Sequence, residues 1–134
     1  MRKRALALAM LAWVAVSCSG GSSSDVPTPR PSSPAKVSIL SPTDGQVVHG
    51  SSVELRVSLE HAKIVPASTT HIVPDEGHLH VILDGKLISM TQGLRQRIAA
   101  LTPGTHLLQV EFVASDHSPF NPRVLSAVSF EVKP

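Results

Sequence analysis

The sequence predicts an all-β domain of two packed sheets, and three observations carry that expectation. Apolar and polar residues alternate with a period of two over most of residues 36–134. Clusters of Pro, Gly, Asn, Asp and Ser interrupt the alternation at roughly the 8–12-residue spacing of short strands joined by turns. No segment shows the apolar spacing of an amphipathic helix. About seven short strands in such an array match an immunoglobulin-like β-sandwich, with a seven- or eight-stranded barrel as the rival architecture. The Cys–Trp–Cys core of antibody domains is absent, so the expectation concerns architecture alone.

The elements follow in chain order. Val37, Ile39 and the Val47-Val48 pair form a first strand, broken at Ser41-Pro42-Thr43-Asp44-Gly45. Val53, Leu55, Val57 and Leu59 alternate with Glu54, Arg56, Ser58 and Glu60, as in a half-buried second strand. A long loop then runs through Pro66 and Pro74 to Gly77. Leu79, Val81 and Leu83 alternate with His78, His80 and Ile82, and Asp84-Gly85 is a two-residue hairpin signal. The return strand covers 86–90, and a weaker one covers about 94–101. Pro103-Gly104 turns the chain into a strand over 106–114. A Pro-rich loop at 115–123 leads to the last strand, 124–132.

The N-terminus reads differently. Arg2, Lys3 and Arg4 precede twelve apolar residues, 5–16, the charged and apolar regions of a secretory signal. Twelve residues are too few for a membrane span, which needs about 20. Val14-Ala15-Val16-Ser17-Cys18 resembles a bacterial lipobox, with small Ser17 before the only cysteine of the chain. Residues 1–17 are therefore expected to be removed as a lipoprotein signal peptide. Cys18 is the expected lipidation site, and two acyl chains on one residue make a stable anchor. Residues 18–35, rich in Ser, Pro and Gly, are expected to be a flexible, disordered linker. The expected location is the extracytoplasmic side of a cell membrane, facing the periplasm or the cell surface.

Composition excludes several classes. Four of the twelve cationic residues (Arg2, Lys3, Arg4 and Arg30) precede residue 36. From there on eight Lys/Arg face nine Asp/Glu, a net charge of −1 with neutral histidine. Without a basic stripe, nucleic acid is not an expected partner. The domain has no Tyr and no Trp, which disfavours a sugar-binding platform. A single cysteine cannot form an internal disulfide, so a domain of 99 residues must rely on one apolar core. There is no Gly-x-Ser-x-Gly motif or phosphate-binding glycine loop, and a lipidated Cys18 is no nucleophile. A non-enzymatic, monomeric domain is expected.

Histidine is the remaining chemical signal, with seven in the chain. Imidazole suits Cu and Zn. His78 and His80 lie two apart, share one strand face and point away from the Leu79/Val81/Leu83 core face. Antiparallel pairing with the 106–114 strand would place them near Glu111, Val113 and the Asp116-His117 loop, with the His71 loop opening at the same end. A site for Cu or Zn is thus drawn from His78, His80, His117, His71, Asp116 and Glu111. The competing reading is that His78 and His80 are exposed strand residues. The hairpin at Asp84-Gly85 is expected to pair Leu83 with Lys86, Val81 with Ile88 and Leu79 with Met90, which turns Met90 to the core face as a packing residue and not a copper ligand. His106, at the far end, reads as a structural residue beside a turn, and Asp84, Gly85, Pro103 and Gly104 read as turn formers.

Four segments resemble a bacterial envelope family known only as a domain of unknown function: Ser41-Pro42-Thr43-Asp44-Gly45; Gly77-His78-Leu79-His80-Val81-Ile82-Leu83-Asp84; Leu101-Thr102-Pro103-Gly104-Thr105-His106-Leu107-Leu108-Gln109-Val110; and Asp116-His117 with Pro119 and Pro122. The family often has a further histidine where Leu79 stands, and more near Asp116. The resemblance implies export and a β-sandwich and carries no established reaction. Two functions are therefore expected to compete: a membrane-anchored metal-binding module, and a structural or interaction module that contacts another envelope protein through strand edges or the 115–123 loop.

Overall fold

The computed structural model describes residues 29–68 and 71–134. The signal segment, Cys18 and the linker as far as residue 28 lie outside the described residues. Among the described residues nine strands form two sheets: β1 (Lys36–Ser41), β2 (Val47–His49), β3 (Val53–Glu60), β4 (Lys63–Ile64), β5 (Glu76–Leu83), β6 (Lys86–Thr91), β7 (Arg95–Ile98), β8 (Gly104–Ala114) and β9 (Pro119–Lys133). The smaller sheet has the order β1-β3-β7. The larger runs β2-β9-β8-β5, and the outer edge of β5 is shared by β4 and β6. The sheets face one another without closing, so the fold is an immunoglobulin-like sandwich and not a barrel.

The core follows from the alternation. Leu55 and Val57 of β3 and Ile98 of β7 meet Leu79, Val81, Leu108, Val110, Phe112 and Phe130 of the larger sheet. Phe112 stacks on Phe120, with ring centroids 5.7 Å apart. Every second residue of β5 and β8 supplies this core, so the intervening residues face the opposite side of the sheet. Gly77, at the start of β5, permits close pairing with β8: a Cβ there would stand 1.9 Å from the Val113 carbonyl oxygen.

Several expectations need correction. The broken first strand is two strands in different sheets: β1 pairs antiparallel with β3, and β2 pairs parallel with β9. The switch occurs at 42–46, where Gly45 donates its N–H to the Ser129 carbonyl and Asp44 accepts that of Ser129. The loop before Gly77 contains short β4. Most of the expected Pro-rich loop belongs to β9, leaving a turn at 115–118. Packing also begins before Lys36: Ala35 is in the core, and Asn121 donates its N–H to the Pro31 carbonyl.

The hairpin contains the most consequential correction. Asp84 and Gly85 both have positive φ (50° and 79°), as a tight hairpin turn requires. Leu83 pairs with Lys86 and Ile82 with Leu87, but a β-bulge then pairs Val81 with Ser89. His80 thereby faces Met90, and Leu79 faces Thr91. Met90 is therefore not a core residue: it lies on the His80 side of the sheet and is 56 % exposed.

Candidate metal centre

The outer face of β5 meets the outer face of β8 in the register His78 with Val113 and His80 with Glu111. β8 ends at Ala114, and the turn that follows folds back over this face. Ala114 donates its N–H to Ser118, and His117 donates its own to Ala114. His117 takes a left-handed backbone (φ 64°), uncommon for a residue with a side chain. The turn delivers its imidazole onto His78. The His78 Nε2 and His117 Nδ1 atoms are 3.0 Å apart, one ring donating to the other. The centroids of His78 and His80 are 5.2 Å apart, and those of His80 and His117 5.8 Å.

Each of the three rings offers one nitrogen within 4.8 Å of the other two. Ligands at about 2.0–2.1 Å from a tetrahedral ion are about 3.3 Å apart. The His78–His117 pair is near that spacing already, and ring rotation can close the rest. The donor chemistry also fits. His78 Nδ1 and His80 Nε2 are buried without a hydrogen-bond partner, an arrangement that costs roughly 1–3 kcal/mol per group unless something satisfies it. Burial, and then the neighbouring His117 and His80, push the His78 pKa down to about 4. Burial and His117 lower that of His80 too, against an upward pull from Glu111. Both rings are neutral near pH 7, the form that ligates metal.

The structure thus brings together three of the six residues drawn from the sequence. The other three lie nearby in different roles. His71 is exposed, and its backbone carbonyl accepts a hydrogen bond from Ser115 Oγ. Glu111 is buried, and both carboxylate oxygens accept bonds from Arg123, at 2.7 and 2.6 Å; its charge holds the Arg123 pKa above the usual value. Asp116 is clasped in the same two-pronged way by Arg30, at 2.7 and 3.0 Å, which keeps its pKa low. Arg30 also donates to the Ser118 and Pro119 carbonyls, so it braces both sides of the His117 turn. The reading of His78 as an exposed strand residue is corrected: it is 3 % exposed, although it points away from the sandwich core.

Sequence reasoning missed both arginines. A signal for Arg123 existed, since a carboxylate on a strand flanked by apolar residues calls for a cation. Arg30 carried none, because it lies in a segment read as a spacer. At the opposite end, His106 is buried and structural as expected. Its Nδ1 is 2.7 Å from Asp84 and its Nε2 2.8 Å from the Thr102 carbonyl. Asp84 also accepts the Leu107 N–H. The Asp84 turn and the 102–104 turn are thus clasped together by one imidazole.

Fold and side-chain placement define an immunoglobulin-like β-sandwich module with a three-histidine cluster on the outer face of its larger sheet. No family model matches the chain, and no curated protein does. Among solved structures it is similar to the fibronectin(III)-like modules of Clostridium thermocellum CbhA. The identity is 21 %, covering 72 % of this chain and 94 % of that one, with a TM-score of 0.52. The PKD domain of human KIAA0319 is 20 % identical over 86 % of this chain and 93 % of that one, with a TM-score of 0.45. The first likeness supports the sandwich architecture.

Proposed function

We propose that the protein is an exported, lipid-anchored binding module of the cell envelope that holds a transition-metal ion, Cu or Zn, through His78, His80 and His117. One observation carries the reading: three imidazoles converge on the outer face of a sheet, and two of their nitrogens are buried without partners. The surrounding charges are arranged to hold the rings and not to compete for the ion, since Arg123 and Arg30 occupy Glu111 and Asp116. The module does no catalysis in this reading.

Lipidation at Cys18 gives the centre an address. Arg30 is fixed beside the His117 turn, and the eleven residues between it and Cys18 span at most about 40 Å. The leash therefore joins the domain at the metal-binding end, close to the membrane.

Titration of the full chain in detergent with Zn(II) and Cu(II), followed by calorimetry, tests the metal reading. The expected result is one site per chain, lost in the double variant His78→Ala/His80→Ala. Equal binding by that variant and the parent would remove the metal reading. The second reading, a metal-free interaction module, is favoured by the exposed Leu87, Leu107 and Leu125 on the larger sheet. In-cell cross-linking that captures an envelope protein, together with absent metal affinity, would select it.

A further inference from the structure

We infer that Met90 is a fourth ligand of the three-histidine centre and makes it a site for monovalent copper. This inference rests on the metal reading above and assigns the metal class. It starts from the hairpin register. An uninterrupted β5–β6 hairpin would carry Met90 to the core side, opposite Leu79. The bulge between Val81 and Ile82 shifts the return strand by one residue and sets Met90 directly opposite His80. Bulges beside functional sites characteristically re-aim one side chain in this way. Directly paired residues have Cβ atoms about 4.5–5.5 Å apart on the same face. Met90 is thus the cross-strand neighbour of a cluster member, with three rotatable bonds to bring its sulfur over the rings.

Its exposure is the second argument. At 56 % exposed, Met90 is the most exposed large apolar side chain of the described residues, so packing gives little reason for methionine there. It is also the only methionine after residue 10. Thioether sulfur is a soft ligand and selects Cu(I), whereas Zn(II) is served by imidazole and thiolate. His80, Met90 and the His117 turn come from three segments, so the ion would tie β5, β6 and the end of β8 together. Among the described residues, the carboxylates nearest the cluster, Glu111 and Asp116, are both held by arginine, so neither is free to favour a hard cation.

The test compares Cu(I) and Zn(II) affinities of the full lipidated chain in detergent, in which acylated Cys18 offers no competing thiol. Cu(I) is supplied in competition with bicinchoninate under anaerobic conditions. Met90→Leu is expected to weaken Cu(I) binding at least tenfold and to leave Zn(II) binding within about twofold. X-ray absorption of the Cu(I) form is expected to show a sulfur scatterer that the variant lacks. Unchanged Cu(I) affinity in Met90→Leu, or equal loss for both metals, overturns the Met90 assignment and leaves the histidine centre standing. A parent chain that binds Zn(II) but not Cu(I) also overturns it. Binding of neither ion removes the histidine centre and the assignment with it.

Discussion

The three-histidine cluster makes the metal-free domain sensitive to acid, and the size of the effect can be worked from His78. Its pKa is about 4 in the folded protein against 6.5 in the unfolded chain, because burial and then His117 and His80 disfavour the charged form. The folded value is the lower one, so protonation of His78 costs little above pH 6.5. Stability is lost as pH falls from there toward 4. At pH 5 the unfolded imidazole is almost wholly protonated and the folded one roughly a tenth protonated. Linkage then removes about 2 kcal/mol between pH 7 and pH 5 through this residue. That is a large part of the net stability of a small domain.

His106 works in the opposite direction, so the measurement has to isolate His78. Its pKa is raised by the Thr102 carbonyl and by Asp84. That contribution is complete below pH 6.5 and is lost as pH rises through the folded value. The assay is urea unfolding of parent and His78→Gln at pH 7, 6 and 5 with a chelator present. The quantity read is the difference in pH slope, since His106 is common to both. The parent is expected to lose about 2 kcal/mol more than the variant across that range. Parallel curves would refute the argument that a buried, neutral His78 limits acid stability. Zn(II) at one hundred times its Kd should restore about 2.7 kcal/mol at pH 7, and less at pH 5, where protons compete for the same nitrogens.

Three further outcomes follow from the same geometry. Gly77→Ala drives a Cβ into the Val113 carbonyl; it should lower the urea midpoint by the equivalent of about 2 kcal/mol or more and weaken metal binding, because β5 must shift against β8. Asp84→Ala strips the buried His106 Nδ1 and the Leu107 N–H of their acceptor and should cost about 1–2 kcal/mol. That loss should be largest between about pH 4 and 6.5, where the lowered Asp84 and raised His106 are both charged, as chemical denaturation across that range would show. Arg30→Ala releases Asp116 and the Ser118 and Pro119 carbonyls; it should change global stability by about 1 kcal/mol or less, yet weaken metal affinity several-fold in calorimetry, because His117 loses its brace.

How far the sequence disclosed this arrangement depended on whether a residue's fate was set locally. Val53, Leu55 and Val57 alternate with charged residues, so β3 was legible without its neighbours, and Asp84-Gly85 could be read from its backbone preferences. The pairing of His78 and His80 with Val113 and Glu111 followed from ordinary sandwich topology. What escaped were features decided by distant parts of the chain. The switch of β1 and β2 between sheets depends on Ser129 meeting Asp44 and Gly45, and no local pattern encodes that. The bulge at Val81/Ile82 is one residue of register, yet it moves Met90 from one face to the other. Glu111 and Asp116 were plausible ligands as isolated carboxylates, and they ceased to be so once Arg123 and Arg30 arrived.

That last point bears on why the cluster exists. An outer sheet face ordinarily carries solvated polar residues, and a His-x-His pair there needs no explanation. Here the 115–118 turn brings a left-handed His117 onto His78, which is almost fully buried. For the metal-free protein this is a net cost: two buried nitrogens without partners, a strained residue, and about 2 kcal/mol of acid lability. Ordinary surface residues at these positions would avoid all three. A bound ion reverses the sign of the third by holding the imidazoles in their neutral form, and gives the His117 backbone a ligand to hold in place. The arrangement is costly as architecture and favourable as a binding site, which is the physical reason to weigh the three histidines as ligands before weighing them as surface.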